Sequence, residues 1–251
     1  AKKHITILHT NDVHSHIDPF DANHPRNPNQ GGAARRATLV ANIRKENPNT
    51  LLLDAGDIFQ GTPYFNYYGG ELEFKIMSMM KYDLATIGNH DFDNGIDGLY
   101  AQLPNANFDF VSANYDFKNT VLDTHVKPYK IFIKDGIKIG VFGLGVKLDG
   151  LVDKRMYKET VYNDPIESAQ DMSRILKEDK KCDLVICLSH IGYNYRKNPE
   201  RPSDLILARK TKNIDLIIGG HTHTFLQKPT IEKNVDGESV MVNQVGAYGI
   251  Y

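Results

Sequence analysis

Short, nearly continuous apolar runs alternate with polar breaks and helical patterns along this chain. Runs of this length that are rich in Leu, Ile and Val are typical of strands covered on both faces. They predict strands over Ile5–Leu8, Thr50–Asp54, Leu84–Ile87, Phe110–Ala113, Leu184–Leu188 and Leu216–Ile218. The segments between them predict helices over Ala33–Glu46, Glu71–Lys81, Ile96–Leu103, Pro165–Lys180 with Asp164 as N-cap, and Ser203–Thr211.

Residues 129–145, YKIFIKDGIKIGVFGLG, have a different pattern, in which two alternating runs meet at Asp135 and Gly136. An Asp-Gly pair between such runs predicts a β-hairpin with a type I′ turn. The last residues, SVMVNQVGAYGIY, predict one further strand. Together the elements predict an α/β domain with layered α/β/α architecture and mixed sheets.

Composition narrows the class of protein only slightly. The 251 residues are 41% hydrophobic and carry a formal net charge of −1, which does not favour a nucleic-acid polymer or a membrane surface as a partner. The sequence contains no apolar run near the roughly 20 residues of a transmembrane segment. A start at Ala1 rather than Met leads us to expect that a leader was removed, either by processing or by the choice of the produced segment, so this terminus does not define the compartment. Cys182 and Cys187 are predicted to be small core residues without a disulfide between them.

Residues able to bind a metal follow five of the predicted strands at the point where each strand ends. They are Asp12 and His14 in HTNDVHSH, Asp57 in DAGDIFQG, Asn89 in GNHDFD, His190 in LSHIG, and His221 and His223 in GGHTH. In extended chain, residues two apart point the same way, so Asp12 and His14 are expected to face one site. Taken singly, each residue has an ordinary explanation as a turn former, a helix cap or a hydrogen-bonded imidazole. Because strand ends of an open α/β sheet meet at one edge, their joint occurrence favours a metal site.

Seven candidate ligands are more than one transition ion needs, so they predict a pair of ions bridged by a shared carboxylate. Nitrogen and oxygen ligands without thiolate fit Mn²⁺, Fe or Zn²⁺. Two such ions, offset by two carboxylates and a bridging hydroxide, leave a centre of about +1 that suits a phosphate group. The same centre lowers the pKa of bridging water and predicts a hydroxide nucleophile at neutral pH.

These motifs also carry a resemblance to a known family. DVH (12–14), GDIFQG (56–61), GNHD (88–91), the lone His190 and GGHTH (219–223) occur in the order found in calcineurin-like metallophosphoesterases. ILHTNDVHSH, GDIFQGTPY and GNHDFDNG are similar to the branch that contains 5′-nucleotidases, UDP-sugar hydrolases and 2′,3′-cyclic-nucleotide phosphodiesterases. The resemblance implies a four-layer αββα sandwich and, for this branch, a location outside the cytoplasm.

The resemblance also implies a role for each residue of the site. The first metal would be bound by Asp12, His14, Asp57 and His223. The second would share Asp57 and add Asn89, His190 and His221. Asn89 and His90 would contact the phosphate. His90 would also stabilise the transition state, and Asp93 would orient His90 as the second member of a dyad. Asp91, where many members carry Glu, is expected to support the site without binding a metal.

Residues 1–251 are interpreted as one metallophosphoesterase catalytic domain. Nucleotidases of this branch add a C-terminal domain that binds the base, and the resemblance implies that this chain lacks it. A separate polypeptide supplies base recognition, or the substrate needs little of it, or the sequence is a fragment. YFNYYGG (64–70) is a candidate aromatic contact for the substrate, with helix packing as the alternative.

The leading hypothesis is a phosphoesterase with two divalent metal ions that hydrolyses phosphate esters, above all nucleoside 5′-monophosphates. The alternative within the same class is cleavage of a phosphodiester or pyrophosphate, such as a 2′,3′-cyclic nucleotide or a UDP-sugar. A third possibility is a catalytic half that needs a partner chain. A non-catalytic binding module with structural metals is the fourth, and the His90–Asp93 pair argues against it, since a structural site needs neither residue.

Overall fold

The structure, a computed structural model, describes residues 2–251 and contains two β-sheets that pack face to face between helices. The strands are β1 (Thr6–Thr10), β2 (Thr50–Asp54), β3 (Leu84–Thr86), β4 (Asp109–Val111), β5 (Tyr115–Asp116), β6 (Tyr129–Lys134), β7 (Ile137–Gly145), β8 (Val161–Tyr162), β9 (Leu184–His190), β10 (Leu216–Gly219), β11 (Thr230–Lys233) and β12 (Ser239–Asn243). The α-helices are α1 (Ala33–Glu46), α2 (Pro63–Tyr68), α3 (Glu71–Met79), α4 (Gly95–Gln102), α5 (Lys154–Tyr157), α6 (Pro165–Arg174) and α7 (Asp204–Lys210).

The two sheets differ in topology. The first has four parallel strands in the order β1-β2-β3-β4. The second has the order β11-β12-β10-β9-β7-β6, with parallel strands in the centre and an antiparallel strand at each edge. Strands β5 and β8 form a separate antiparallel ribbon. The predicted mixed content is therefore confined to the second sheet.

Alternation along the strands explains why the sheets face each other. Leu51 and Leu53 of β2 lie in one apolar cluster with Ile186 and Leu188 of β9. Leu52 points to the other face and packs in a cluster with residues of α1, α3 and α4. Because successive side chains of a strand point to opposite faces, the order of layers is helices, sheet, sheet, helices. This is the four-layer αββα sandwich that the resemblance implied, and it adds a second sheet to the three layers expected from the pattern alone.

Most predicted elements are present, with shifted ends. The hairpin turn has positive φ at both Asp135 (50°) and Gly136 (73°), as type I′ requires. The Asp164 carboxylate caps α6 by accepting hydrogen bonds from the Ile166 and Glu167 N–H groups. The predicted helix over Pro165–Lys180 is α-helical only to Arg174 and continues as a π-helical turn over Ile175–Asp179.

Five short helices and strands were not predicted, and the last predicted strand is shorter than expected. Helices α2 and α5 and strands β5, β8 and β11 have too few residues for a clear period. Strand β12 ends at Asn243, and residues 244–251 then take an irregular course.

Two further predictions concern cysteine and membrane segments. Cys182 and Cys187 are buried with free thiols, as predicted, and both pack in the same apolar cluster. Within residues 2–251, no helix is long and apolar enough to cross a membrane.

Candidate metal centre

The structure brings the seven predicted ligand residues together at the carboxyl ends of the strands. Asp12, His14 and His223 form one group whose ligand atoms lie within 4.8 Å of one another. Asp57, His190 and His221 form a second. Asn89 adjoins the second group, with its Oδ1 atom 2.9 Å from Nδ1 of His221. Residues from five strand ends thus form two adjacent candidate sites.

The two carboxylates lie between the groups. Asp57 Oδ2 is 3.0 Å from Nε2 of His190 and 3.7 Å from Nε2 of His14. Asp12 Oδ1 is 3.3 Å from Nε2 of His223, 3.8 Å from Nε2 of His14 and 3.9 Å from Nε2 of His190. Either carboxylate is therefore within reach of both groups, as a bridging ligand must be.

The hydrogen bonds of two imidazoles leave the Nε2 atom of each ring directed into the site. His14 Nδ1 donates to the carbonyl oxygens of Phe59 and Gln60, each 3.1 Å away. His190 Nδ1 donates to the Ala55 carbonyl at 2.6 Å. In each ring Nε2 is then the nitrogen that faces the site, which is the arrangement by which proteins orient histidine ligands.

These inward-facing nitrogens fit a cation. Nε2 of His190 is buried and makes no well-aligned hydrogen bond among the described residues, and its near neighbour is Oδ2 of Asp57, 3.0 Å away. Nε2 of His14 lies 3.2 Å from Nε2 of His223. Two nitrogens that each lie about 2.1 Å from one tetrahedral zinc ion are roughly 3.4 Å apart, so this spacing suits ligands of a shared ion.

The ionisation of the groups points the same way. Burial lowers the pKa of His190, but the carboxylates of Asp57 and Asp12 outweigh it and raise that pKa to about 10. Burial raises the pKa of Asp57, and the imidazoles of His190 and His14 more than reverse this effect. Burial lowers the pKa of His221 to about 4 and favours its neutral, ligating form. The carboxylates thus create a strong demand for positive charge, which bound cations would meet.

Asp12 and His14 converge for a reason that differs from the predicted one. Extended chain was expected at these positions, but φ is 51° at Asp12 and 50° at His14. Asp57, His221 and His223 are also left-handed, with φ of 57°, 73° and 52°. Such conformations are uncommon for residues other than Gly and concentrate at functional sites. The side chains meet because the backbone adopts tight left-handed turns at these positions.

Three glycines let the strand ends approach this closely. A Cβ atom at Gly88 would lie 2.2 Å from Oδ1 of Asp57. At Gly56 it would lie 2.7 Å from the Gly88 nitrogen, and at Gly220 it would lie 2.8 Å from Nδ1 of His190. Any larger residue would displace a candidate ligand or its support.

His90 and Asp93 form the predicted pair beside the ligands. His90 Nδ1 lies 2.8 Å from Asp93 Oδ2, and the His90 ring centroid is 5.2 Å from that of His14. The hydrogen bond to Asp93 raises the pKa of His90, burial opposes the rise and the Asp57 charge adds to it. Asn89 is buried whereas the His90 side chain is 41% exposed, so the amide faces the ligands and the imidazole faces solvent.

Asp91 supports the site through the backbone. Its two carboxylate oxygens accept four hydrogen bonds of 2.7 to 3.0 Å, from the N–H groups of Asp57, Ile58, Phe59 and Gly88. The carboxylate thereby joins the loop after β2 to the turn after β3. This matches its expected supporting role.

The aromatic segment at residues 64–70 is not part of the cleft beside His90. Phe65 is buried, Tyr67 is 86% exposed and Tyr64 donates a hydrogen bond to Asp18. The cleft, with a volume of about 770 Å³, is lined instead by residues of the loop after β1 and by Tyr248. Sequence reasoning missed Tyr248, which φ of 65° marks as unusual only in the structure.

The geometry defines a class of protein, an αββα sandwich with a two-part cation site and a histidine–aspartate pair at its strand ends. Residues 5–225 match the calcineurin-like phosphoesterase family. The chain belongs to the calcineurin-like phosphoesterase family, a family of metal-dependent hydrolases, which confirms the resemblance read from the motifs.

Similar proteins agree with this assignment. The chain is 37% identical to the trifunctional nucleotide phosphoesterase YfkN of Bacillus subtilis, over 98% of this chain and 17% of that protein. It is 35% identical to a snake venom 5′-nucleotidase of Crotalus adamanteus, over 98% of this chain and 44% of the other. A 5′-nucleotidase precursor from Thermus thermophilus superposes with a TM-score of 0.87 and 34% identity, over 98% of this chain and 49% of the other. The chain thus spans less than half the length of each.

Proposed function

We propose that this chain hydrolyses phosphate monoesters at the paired cation site, with nucleoside 5′-monophosphates as the preferred substrates. The observation that carries the proposal is the convergence of two ligand groups, through Asp12 and Asp57, next to the His90–Asp93 pair. The names of the similar 5′-nucleotidases support the choice of substrate.

In this mechanism the chain's residues hold the cations and complete their charge. Asp12, His14, Asp57 and His223 would hold one cation, and Asp57, Asn89, His190 and His221 would hold the other. Two divalent cations, of Mn, Zn or Fe, would supply the activated water and the positive charge that hydrolysis of a phosphate ester needs. His90 donates a hydrogen bond from Nε2 to the phosphate as negative charge develops, and Asp93 holds the proton on Nδ1 and fixes the ring.

The test uses one histidine at the site and one away from it. His90→Asn should lower the rate of p-nitrophenyl phosphate hydrolysis about 100- to 10,000-fold while the metal content stays the same. His125→Asn makes the same change at an exposed histidine and should leave the rate unchanged. If the His90 variant keeps both its metals and its rate, the assigned role is wrong. A wild-type protein that holds both metals but turns over no phosphate ester would instead be a binding module.

Cleavage of a pyrophosphate or phosphodiester is the second candidate. A NAD nucleotidase from Haemophilus influenzae superposes with a TM-score of 0.84 and 32% identity, over 98% of this chain and 51% of the other, and its name supports this alternative. A panel of AMP, NAD, a UDP-sugar and a 2′,3′-cyclic nucleotide decides between the two by relative kcat/KM. Adding a separately produced C-terminal domain of a relative tests whether a partner raises a weak basal rate.

We also infer a location outside the cytoplasm. Support comes from the match to 5′-nucleotidases named for snake venom. Fractionation of the native host with an antibody to this chain would test it, and recovery in the cytoplasmic fraction would overturn it.

A further inference from the structure

The cleft beside the metal centre has a row of aromatic rings along one wall. The rings belong to Tyr248, His16, Phe20 and His24, and each centroid is 4.5 to 5.0 Å from the next in that order. The row begins at the candidate ligands, since the Tyr248 ring is 5.5 Å from that of His223. It continues outward along a cleft of about 770 Å³, within the range of small-molecule sites.

The loop that carries three of these rings is long and ordered by its own contacts. Residues 11–32 contain no helix or strand, and a loop of more than about 12–15 residues inside a domain is uncommon and usually functional. The Phe20 backbone N–H donates to the Gln30 carbonyl, and the Ala33 N–H donates to the Ile17 carbonyl. The loop is therefore packed against the N-terminus of α1.

The rings themselves are held in defined orientations. His16 Nδ1 donates to the His14 carbonyl at 2.8 Å, and His24 Nδ1 accepts from the Asn27 N–H at 3.0 Å. Tyr248 has φ of 65°, and its N–H donates to the Asp12 carbonyl at 2.8 Å. A bulky residue in the left-handed region costs about 1–3 kcal/mol and persists where the surroundings enforce it. Rings that are fixed before a ligand arrives lose little entropy on binding.

Exposure and charge also suit a ligand. All four residues are only half-buried, so part of each side chain is open to the cleft. Arg26 lies at the cleft and adds positive charge, and among the described lining residues none is acidic. His90 lines the same cleft, so the wall lies beside the position proposed for the phosphate.

We propose that Tyr248, His16, Phe20 and His24 form a subsite for the leaving group, and that it accepts a planar aromatic ring such as a nucleobase by stacking. The proposal rests on the proposed function only for the position of the phosphate. It assigns ring recognition to this catalytic domain itself, at a wall that residues 64–70 do not form.

A binding experiment tests the subsite without turnover. The chain has no Trp, so Phe20→Trp introduces a single fluorescent reporter in the wall. Adenosine and AMP should quench the fluorescence of this Trp saturably, and adenosine should do so both with and without metals. Ribose 5-phosphate should not quench it. Tyr67→Trp places the same reporter at an exposed position of α2 and should show no saturable quenching. Absence of saturable quenching at position 20 would overturn the proposal.

A kinetic experiment separates this proposal from the proposed function. Loss of one stacked ring reduces base binding about 5- to 150-fold. Phe20→Ala should therefore lower kcat/KM for AMP at least 5-fold more than for ribose 5-phosphate, while Tyr67→Ala leaves the ratio of the two unchanged. An equal fall for both substrates would refute the subsite while hydrolysis stands. Quenching by adenosine in a chain that hydrolyses no phosphate ester would refute the proposed function and retain the subsite.

Discussion

Replacing Gly88 by Ala is the most direct test of how the metal centre is assembled. The added methyl carbon would lie 2.2 Å from Oδ1 and 2.5 Å from the backbone nitrogen of Asp57. Real Cβ atoms essentially never approach another heavy atom within 3.0 Å, so Asp57 or the turn must move by about 1 Å. The moved residue is the carboxylate placed between both groups of ligands.

The size of the effect follows from that displacement. A misplacement of about 1 Å at a reacting centre costs around 100-fold in rate, or about 2.7 kcal/mol. Overpacking of a buried site adds a stability loss of about 1–3 kcal/mol. We therefore expect Gly88→Ala to lower kcat/KM for p-nitrophenyl phosphate at least about 100-fold. The variant should also bind fewer than two metal ions per chain.

Gly237→Ala is the matched control, because a Cβ atom there meets nothing within 4 Å although φ is 76°. It should lose about 1 kcal/mol of stability from backbone strain and keep its metals and its rate. Metal content is measured by mass spectrometry after gel filtration, and stability by urea unfolding. If Gly88→Ala retained two metals and a rate within threefold of wild type, close packing against Asp57 would not be what requires glycine.

Three further outcomes follow from the same geometry. Asp93→Asn removes the carboxylate whose hydrogen bond raises the pKa of His90, so kcat should fall about 10- to 100-fold and the alkaline limb of the pH–rate profile should move to lower pH; an unchanged profile would contradict the pair. Burial lowers the pKa of His9 to about 4 in the folded chain. As the pH falls, the unfolded chain therefore takes up the proton at a higher pH than the folded chain does, and stability should be lost between about pH 6.5 and pH 4. That loss is about 3 kcal/mol and should be absent from His9→Gln when both are unfolded in chelator. Restoring Mn²⁺ or Zn²⁺ to chelated protein at 100 times its Kd should add about 2.7 kcal/mol per site, and an unchanged unfolding midpoint would argue against folded-state metal binding.

The sequence predicted the strand-end residues well because of one topological rule. Apolar runs covered on both faces mark parallel strands, and the ends of such strands meet at one edge. Asp57, His190 and His221 were therefore expected together, and the structure places them in one group. The same runs could not show that Leu51 faces a second sheet while Leu52 faces helices. A sheet and a layer of helices both present apolar side chains to the strand, so the pattern is the same for either.

The sequence shows the glycines next to the candidate ligands, but it does not show how strictly these positions require glycine. Gly56 and Gly220 come just before Asp57 and His221, where a glycine is ordinarily explained by a turn. The structure shows a stricter need, because a side chain at either position would collide with His190. Tyr248 carries no comparable signal in the sequence. Its position near Asp12 and His16 depends on a long-range backbone hydrogen bond and a left-handed φ, and both arise only when residues 244–251 fold back onto the loop after β1. Local pattern thus predicts ligands that strands deliver, whereas a wall built from an irregular loop and a distant segment requires the folded molecule.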